Sequence, residues 1–197
     1  MQIPSNLYIW QHLDEEETYD DCITTSHLIE KWYQQICKKS ISFGVQEKVV
    51  LEMQEHIVDV LDSMGRLYAP KQILKVDETG FDYLISAEMI VVDGRSRVGF
   101  VHQSILDYFI SKRMMLQYFA DKSIEEIIGE KNKQTPRKRY QIQMFLQNIL
   151  EYNSAAFVAV GIKILESLRV RYYVKYLFYE ILGQISQPDE NIKEFID

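Results

Sequence analysis

The sequence has few of the residues on which catalytic and metal sites are usually built. It contains only eight glycines, and none of them cluster. There is no G-x-x-x-x-G-K-[ST] phosphate loop, no G-x-S-x-G nucleophile turn and no H-E-x-x-H zinc helix. The four histidines are far apart, and nothing near "HLIE" at 27–30 supplies a third metal ligand. We therefore expect neither a catalytic site nor a metal site in this chain.

Long apolar runs and cysteine motifs are also missing. No stretch reaches the roughly eighteen apolar residues that a membrane helix requires, and no basic segment followed by an apolar one opens the chain. Cys22 and Cys37 form no Cys-x-x-Cys motif, which favours two free thiols in a reducing compartment. We expect a cytoplasmic protein without a membrane partner. Because "QIPSNLYIW" reads like the middle of a domain, we also expect the chain to be part of a longer protein.

The charge of the chain is unevenly distributed. The formal net charge is −7, and residues 1–25 carry acidic side chains without any Lys or Arg. This acidic run lacks the D-x-D-x-D-G spacing of a calcium loop, so it is better explained as a solvated connector. The sign reverses in "QTPRKRYQ", at Arg137, Lys138 and Arg139. We expect these three residues in or near the first turn of a helix rather than in contact with nucleic acid.

The first half of the chain shows helical periodicity. Ser26 is predicted to cap a helix through "HLIEKWYQQICKK". A longer helix is predicted from Val45 to Met64, with Gly65 as its C-cap, because apolar residues recur there at steps of one, three and four. The stretch "ETGFDYLISAEM" predicts a third helix over 78–89.

The strongest β signal follows in "MIVVDGRSRVGFVH". Two apolar runs flank Asp93 and Gly94, a dipeptide typical of tight hairpins. A third, short β segment near Leu67 and Tyr68 is weakly signalled. Three helices followed by a hairpin is the order of a winged-helix domain, in which "DGRS" would form the tip of the wing.

The remainder of the chain reads as helical. A helix is predicted from His102 to Ala120, with Asp107 facing away from its apolar side. Ser123 is predicted to cap a short helix, and Pro136 to begin a longer one. That longer helix is expected to bury Ile142, Phe145, Leu146, Ile149 and Tyr152. "SAAFVAVGIKILESL", "RYYVKYLFYEILGQI" and "PDENIKEFI" predict three more helices with very short connections, which favours antiparallel packing in a bundle or an open superhelix.

These patterns define the expected fold and its domains. The fold class is mainly α, with a winged-helix domain of three helices and a small β-hairpin wing, followed by an antiparallel helical bundle or superhelix. We expect residues 1–25 to end a preceding helical domain and form the acidic connector. Residues 26–120 would be the winged-helix domain, and residues 121–197 the helical domain.

A winged-helix domain suggests DNA binding, which requires a basic face. The presumed recognition helix instead carries Glu78, Asp82 and Glu88 and has no basic residue. The wing offers only Arg95 and Arg97. Phosphate repulsion therefore disfavours a nucleic-acid partner on this face.

The stretch "VGFVHQSILDYFISKRM" resembles the phenylalanine–x–histidine, helix and aromatic pattern that closes the winged-helix domain of STAND-type NTPases. These are the NACHT and NB-ARC relatives, which include animal NOD-like receptors and bacterial antiphage sensors. The order of "HLIEKWYQQICKK", the helix over 45–64 and "FDYLISAEMIVVDGRSRV" is similar to that of bacterial members. "IPSNLYIW" looks like the end of the helical domain that precedes the winged helix. Residues 121–197 match only in being helical.

The resemblance implies a role for two residues. His102 matches the histidine that reaches the β-phosphate of ADP and holds the closed, inactive arrangement. Pro4 matches the proline that packs on the adenine. A histidine at a helix N-terminus lies beside unpaired N–H groups, where an anion is favoured. The alternative is that His102 is a capping or core histidine without a ligand.

The function implied by the resemblance is mechanical. The chain would be a regulatory module that closes over bound ADP and moves to allow assembly, in signal transduction or antiphage defence. Its partners would be its own upstream nucleotide-binding domain and further copies of the parent protein, with ADP or ATP and Mg held by that parent. Without a P-loop, this chain should bind no cofactor and hydrolyse no ATP alone. Two alternatives are a winged-helix DNA-binding regulator and a helical protein-interaction scaffold.

Overall fold

The computed structural model of the chain describes residues 4–13, 24–74 and 77–196. These residues form eleven α-helices and one three-stranded antiparallel sheet, which confirms the mainly helical class. The chain divides into two compact units, Met1–Leu106 and Asp107–Asp197, which are described separately below. Residues 14–23 of the predicted acidic connector lie outside the described residues. The predicted domain bounds stay a prediction.

The first unit contains most of the short elements. In chain order they are α1 (Pro4–Gln11), α2 (Thr25–Ser40), a 3₁₀ turn (Ile41–Phe43), α3 (Glu47–Met64), β1 (Ala69–Pro70), α4 (Lys71–Leu74), α5 (Glu78–Ser86), β2 (Ile90–Val92) and β3 (Arg97–Phe100). The core of this unit is formed by apolar side chains of α2, α3, α5 and the sheet. Among them are Leu28, Trp32, Ile57, Leu61, Phe81, Leu84 and Val98.

The cap predicted for α2 was wrong by two residues. The N-cap is Thr24, whose hydroxyl accepts a hydrogen bond from the His27 N–H at 3.3 Å, and Ser26 is buried inside the first turn. Thr and Ser are both good caps, so a run of them leaves the exact start of a helix open. The helix predicted from Val45 begins at Glu47 and ends at Met64 as predicted. The prediction of Gly65 as the C-cap is confirmed, and this residue has a left-handed φ of 61°.

The sheet has the strand order β1-β3-β2. β2 and β3 form the predicted hairpin around Asp93 and Gly94, with Ile90 opposite Phe100. The weakly signalled third segment lies slightly later than predicted, at Ala69–Pro70 rather than Leu67–Tyr68. Pro70 is tolerated because β1 is an edge strand. A Cβ on Gly99 would lie 2.4 Å from the carbonyl oxygen of Leu67, so glycine permits this close approach.

Helix α6 (Gln103–Phe119) contains the boundary between the two units. It is buried around its whole circumference from Ser104 to Ser111, so its pattern is not amphipathic there. The prediction that Asp107 faces away from the apolar side was wrong, because Asp107 is completely buried, with 0% of its surface exposed. Its burial is made possible by polar partners on another helix, described below.

The second unit continues with five helices. They are α7 (Ile124–Ile128), α8 (Pro136–Tyr152), α9 (Ser154–Glu166), α10 (Tyr172–Leu182) and α11 (Glu190–Ile196). The predicted cap at Ser123 is confirmed, and Glu126 completes a reciprocal capping box. The predicted start of α8 at Pro136 is confirmed too, which places the basic triplet in its first turn. Tyr152 was wrongly predicted to be buried. It is the last residue of α8 and is 67% exposed. Among the described residues, its ring contacts that of Phe119, which is itself 46% exposed.

Helix α8 packs against both α9 and α10, and α11 packs on α9. Buried apolar side chains of the four helices form the core, with Phe145, Leu146, Phe157, Val160, Leu177 and Phe178 at its centre. No helix of residues 4–13, 24–74 or 77–196 has the length and apolar character to cross a bilayer.

Candidate functional site

His102 caps the N-terminus of α6. Its Nδ1 accepts a hydrogen bond from the backbone N–H of Ser104 at 3.2 Å, and the Ser104 Oγ lies 3.0 Å from the same nitrogen. The carbonyl oxygen of His102 accepts from the Ile105 N–H. The side chain and the carbonyl together satisfy two of the N–H groups that a helix leaves open at its start.

The hydrogen bond from the Ser104 N–H determines the tautomer of the neutral His102 ring. A backbone N–H can only donate, so Nδ1 must be the unprotonated nitrogen, and the proton of the neutral ring lies on Nε2. Between the described residues, no hydrogen bond involves Nε2. His102 can therefore cap α6 with one nitrogen and offer a donor to an anion with the other. Its nucleotide-sensing role stays a prediction.

A small cavity of about 100 Å³ lies beside this ring. Among its lining residues are Tyr68, Phe100, His102 and Leu106. Drug-sized ligands occupy pockets of roughly 300–1,000 Å³, so this cavity cannot enclose a nucleotide. Any nucleotide contacted by His102 would need most of its surface covered by residues other than those lining this cavity.

Pro4, the other predicted nucleotide contact, is the first residue of α1. Its side chain lies outside the described part of the structure. The packing of Pro4 on adenine stays a prediction.

A polar cluster that was not predicted from the sequence joins Tyr8 on α1 and His12 just after it to Glu88, which follows α5. Tyr8 Oη donates to the carbonyl oxygen and to the carboxylate of Glu88, at 3.1 and 3.2 Å. His12 Nε2 lies 2.9 Å from Glu88 Oε2, and its Nδ1 lies 2.7 Å from the carbonyl oxygen of Tyr8. We call Tyr8, His12 and Glu88 the Glu88 clamp. Burial, followed by the nearby Glu88 charge, raises the pKa of Tyr8 to about 12.

The clamp holds an unusual backbone. Glu88 has φ of 55°, a left-handed conformation that costs a side-chain-bearing residue of the order of 1 kcal/mol. This turn ends α5 at Ser86, so the prediction of a helix through Met89 was wrong at its end. Glu88 is separated by 76 and 80 residues from His12 and Tyr8, and no local pattern announces such a contact.

A cavity of about 320 Å³ opens next to the clamp, within the first unit. Its floor is formed by buried side chains of α2 and α5, namely Trp32, Gln35, Ile36 and Tyr83. Its rim carries His12, Lys39, Phe43, Ser86 and Glu88. Apolar walls with a few polar groups at the rim are the usual composition of a small-molecule pocket.

The charge of the turn between β2 and β3 is partly offset by its own residues. Asp93 accepts hydrogen bonds from the backbone N–H groups of Arg95 and Arg97, both at 2.9 Å. The Arg97 guanidinium also pairs with this carboxylate, at 2.7 and 2.8 Å. The hydrogen bond from the Arg97 side chain is the main reason that the pKa of Asp93 is lowered. Of the two arginines in this hairpin, Arg97 thus has its charge offset by Asp93 in the same turn.

A buried polar group in the second unit explains the burial of Asp107. Gln141 Nε2 donates to Asp107 Oδ1 at 2.7 Å, and Arg137 Nε lies 3.6 Å from the same oxygen. Burial and the Asp107 charge raise the pKa of Tyr140. This group binds α6 to the first two turns of α8, so Arg137 serves a structural role.

The described residues contain no group of three or more His, Cys, Asp or Glu side chains that could hold a metal ion. Outside the clamp, His56 Nε2 donates to the carbonyl oxygen of Ile73 at 3.1 Å. Cys37 is a free, buried thiol whose pKa is raised by its burial, whereas Cys22 lies outside the described residues.

Comparison of the chain with protein-family models, with curated proteins and with solved structures gave no match.

Proposed function

We propose that this chain is the winged-helix and helical regulatory module of a cytoplasmic STAND-type NTPase, acting in signalling or antiphage defence. In this proposal the module closes over ADP held by an upstream nucleotide-binding domain, and it moves away so that copies of the parent protein assemble. The proposal is supported by one arrangement. The elements follow the order α3, β1, α4, α5, β2, β3, with strands ordered β1-β3-β2, and lead directly into a histidine-capped helix. We interpret this order as that of a winged-helix domain.

The geometry of His102 suits the proposed switch. Its Nδ1 is engaged by the cap, and Nε2 is the donor that would meet the β-phosphate. A charge-assisted hydrogen bond of this kind contributes roughly 1.5–3 kcal/mol. Because the contact exists only in the closed state, its loss should raise the open population roughly ten- to a hundredfold.

Two substitutions separate nucleotide sensing from helix capping. Asn is among the best N-cap residues, so His102→Asn retains a cap, whereas His102→Ala removes it. Neither substituted side chain reaches as far as the imidazole Nε2. In the protein encoded by the complete reading frame, we expect both variants to release fluorescent ADP about tenfold faster or more. Faster release by the alanine variant alone would show that His102 is only a cap. A complete reading frame without a P-loop would also overturn the proposal.

The DNA-binding alternative gains little support from the charges of the hairpin. The Arg97–Asp93 pair removes half of the basic charge that the wing could offer to phosphates. We therefore expect no specific complex with duplex DNA at physiological salt in an electrophoretic shift assay. Such a complex would favour the DNA-binding regulator instead.

A further inference from the structure

The cavity beside the Glu88 clamp has a composition that selects one class of small molecule. We propose that it binds a free α-amino acid with an aromatic side chain. This inference is independent of the proposed NTPase role, because it uses neither His102 nor a nucleotide. At about 320 Å³, the cavity lies at the lower end of the size range of ligand pockets, which suits a single amino acid better than a nucleotide.

The floor of the cavity would receive the aromatic ring. Trp32, Ile36 and Tyr83 are each at most 5% exposed, and they present apolar surface at the bottom of the cavity. The Tyr83 hydroxyl donates to the carbonyl oxygen of Ile36, which fixes this wall. A rigid, largely aromatic floor favours a flat apolar group.

Phe43 supplies a second aromatic wall at the rim. It is 67% exposed, although large apolar side chains are usually buried, and its ring centroid lies 5.6 Å from that of Tyr83. The two rings are tilted by 54°, within the geometry in which aromatic groups attract one another. A ligand ring entering the cavity would cover Phe43 and remove apolar surface from water.

The rim carries charges of both signs, as a zwitterion requires. Glu88 Oε2 accepts hydrogen bonds from the clamp, and the carboxylate has a second oxygen that can accept from an ammonium group. Lys39 lines the same cavity, and its ammonium has three donors, enough to serve a ligand carboxylate in addition to a protein partner. A zwitterion could contact both of these rim groups, whereas a ligand with only one charge could contact only one of them.

The strained turn at Glu88 fits a binding role. A non-glycine residue at φ of 55° persists only where its surroundings hold it, and such residues concentrate at ligand sites. Tyr8 on α1 and His12, the residue after α1, supply that support. The ligand would therefore contact His12 just after α1, together with α2 and the end of α5, and it should stabilise their packing.

Calorimetry and thermal unfolding of the 197-residue chain test the proposal. L-phenylalanine and L-tryptophan are the probes, at concentrations up to about 5 mM, where even weak specific binding is measurable. Three comparators each lack one feature: phenethylamine has no carboxylate, 3-phenylpropionate has no ammonium and L-alanine has no ring. We expect at least one aromatic amino acid to bind and raise the melting temperature. Each comparator should bind about tenfold more weakly or worse, because each lacks one of the three proposed contacts: the carboxylate, the ammonium or the apolar ring.

Paired variants assign the two charges. Glu88→Gln keeps acceptors for Tyr8 and His12 but loses the charge, so it should weaken the amino acid about tenfold without weakening 3-phenylpropionate. Lys39→Gln should weaken the amino acid and leave phenethylamine unchanged. Phe43→Ala should weaken all ring-bearing ligands, and Phe119→Ala, at an exposed ring of the second unit, is the control that should weaken none. Absence of binding of both aromatic amino acids to the unmodified chain, or equal binding of all comparators, would overturn the proposal.

Discussion

Tyr8 donates its hydroxyl to both the carbonyl oxygen and the carboxylate of Glu88, at 3.1 and 3.2 Å. One side chain of α1 therefore holds the backbone and the side chain of a residue 80 positions away. The Tyr8 ring also meets the buried Trp32 ring edge-on, at a centroid distance of 6.4 Å. These contacts offset the cost of the left-handed conformation at Glu88.

The first prediction concerns the strength of this clamp. Tyr8→Phe keeps the ring and removes only the hydroxyl, so the carbonyl oxygen and the carboxylate of Glu88 lose a donor. We expect the free energy of unfolding to fall by about 0.5–1.5 kcal/mol. The melting temperature should drop by about 2–4 °C per kcal/mol.

Tyr176→Phe is the matched control, because Tyr176 is 62% exposed on α10. Its melting temperature should stay within about 1 °C of that of the unmodified chain, since surface substitutions have small effects. Equal effects of the two substitutions would show that the clamp contributes nothing to stability.

The second prediction concerns alkaline pH. The folded pKa of Tyr8 is about 12, above its ordinary value of 10.0, because burial and the Glu88 carboxylate disfavour the phenolate. A raised pKa means that the stabilisation is fully present below pH 10. It is then lost as the pH rises from 10 to about 12, because the unfolded chain gives up this proton first.

Ring resonances of Tyr8, followed by nuclear magnetic resonance across this range, measure the pKa directly. In Glu88→Gln the carboxylate is gone, so the pKa of Tyr8 should fall. It should remain above 10.0, since burial is the larger of the causes. A pKa unchanged in that variant would exclude the carboxylate as a cause.

Sequence reasoning predicted the parts of this fold that local chemistry decides. Gly65 ends α3 because a left-handed residue is needed there, and Ser123 caps α7 through a partner three residues away. The β1 strand was placed inexactly because two residues are too few to show alternation. These successes and the error depend on near neighbours in the chain.

The Glu88 clamp and the polar group around Asp107 depend on distant neighbours, which explains why neither was predicted from the sequence. Asp107 was predicted to be on a polar face, but its hydrogen-bond partner Gln141 is 34 residues away. Glu88 reads as one more acidic residue of a surface helix until Tyr8 and His12 are placed beside it. His102 was singled out by its match to the histidine of the family pattern, and the structure adds which of its nitrogens is engaged.

The third prediction concerns the Asp107–Arg137 pair. The Nε and Nη2 atoms of Arg137 are buried and, among the described residues, have no hydrogen-bond partner, so Asp107 supplies charge compensation at 3.6 Å. Asp107→Asn should destabilise the chain by about 1–3 kcal/mol, because it leaves the Arg137 charge uncompensated in a partly buried place. Arg137→Met removes both the charge and the unsatisfied donors.

A double-mutant cycle measured by urea unfolding separates these effects. We expect the two changes together to cost less than the sum of the single changes, by about 1 kcal/mol. Arg139→Met is the control, because Arg139 pairs with Glu180 at the surface and such pairs contribute about 0–1 kcal/mol. Additivity within about 0.5 kcal/mol would mean that Asp107 and Arg137 do not interact.

The fourth prediction concerns the packing of α9 on α10. A Cβ added to Gly161 would lie 2.0 Å from a ring carbon of Phe178, and both residues are buried. Alanine favours helix over glycine by about 1 kcal/mol, so propensity alone predicts that Gly161→Ala stabilises the chain. The steric overlap opposes this gain, and overpacking of a buried site costs about 1–3 kcal/mol or more.

We therefore expect Gly161→Ala to lower the melting temperature despite the better helix former. Gly183→Ala is the control: its φ is −71° and the nearest atom to the added Cβ is 3.4 Å away, so it should be neutral or slightly stabilising. In a Phe178→Leu background the ring is absent, and the cost of Gly161→Ala should shrink. If Gly161→Ala is as stable as the unmodified chain, or if its cost is the same in the Phe178→Leu background, then the Phe178 ring does not fix the spacing between α9 and α10.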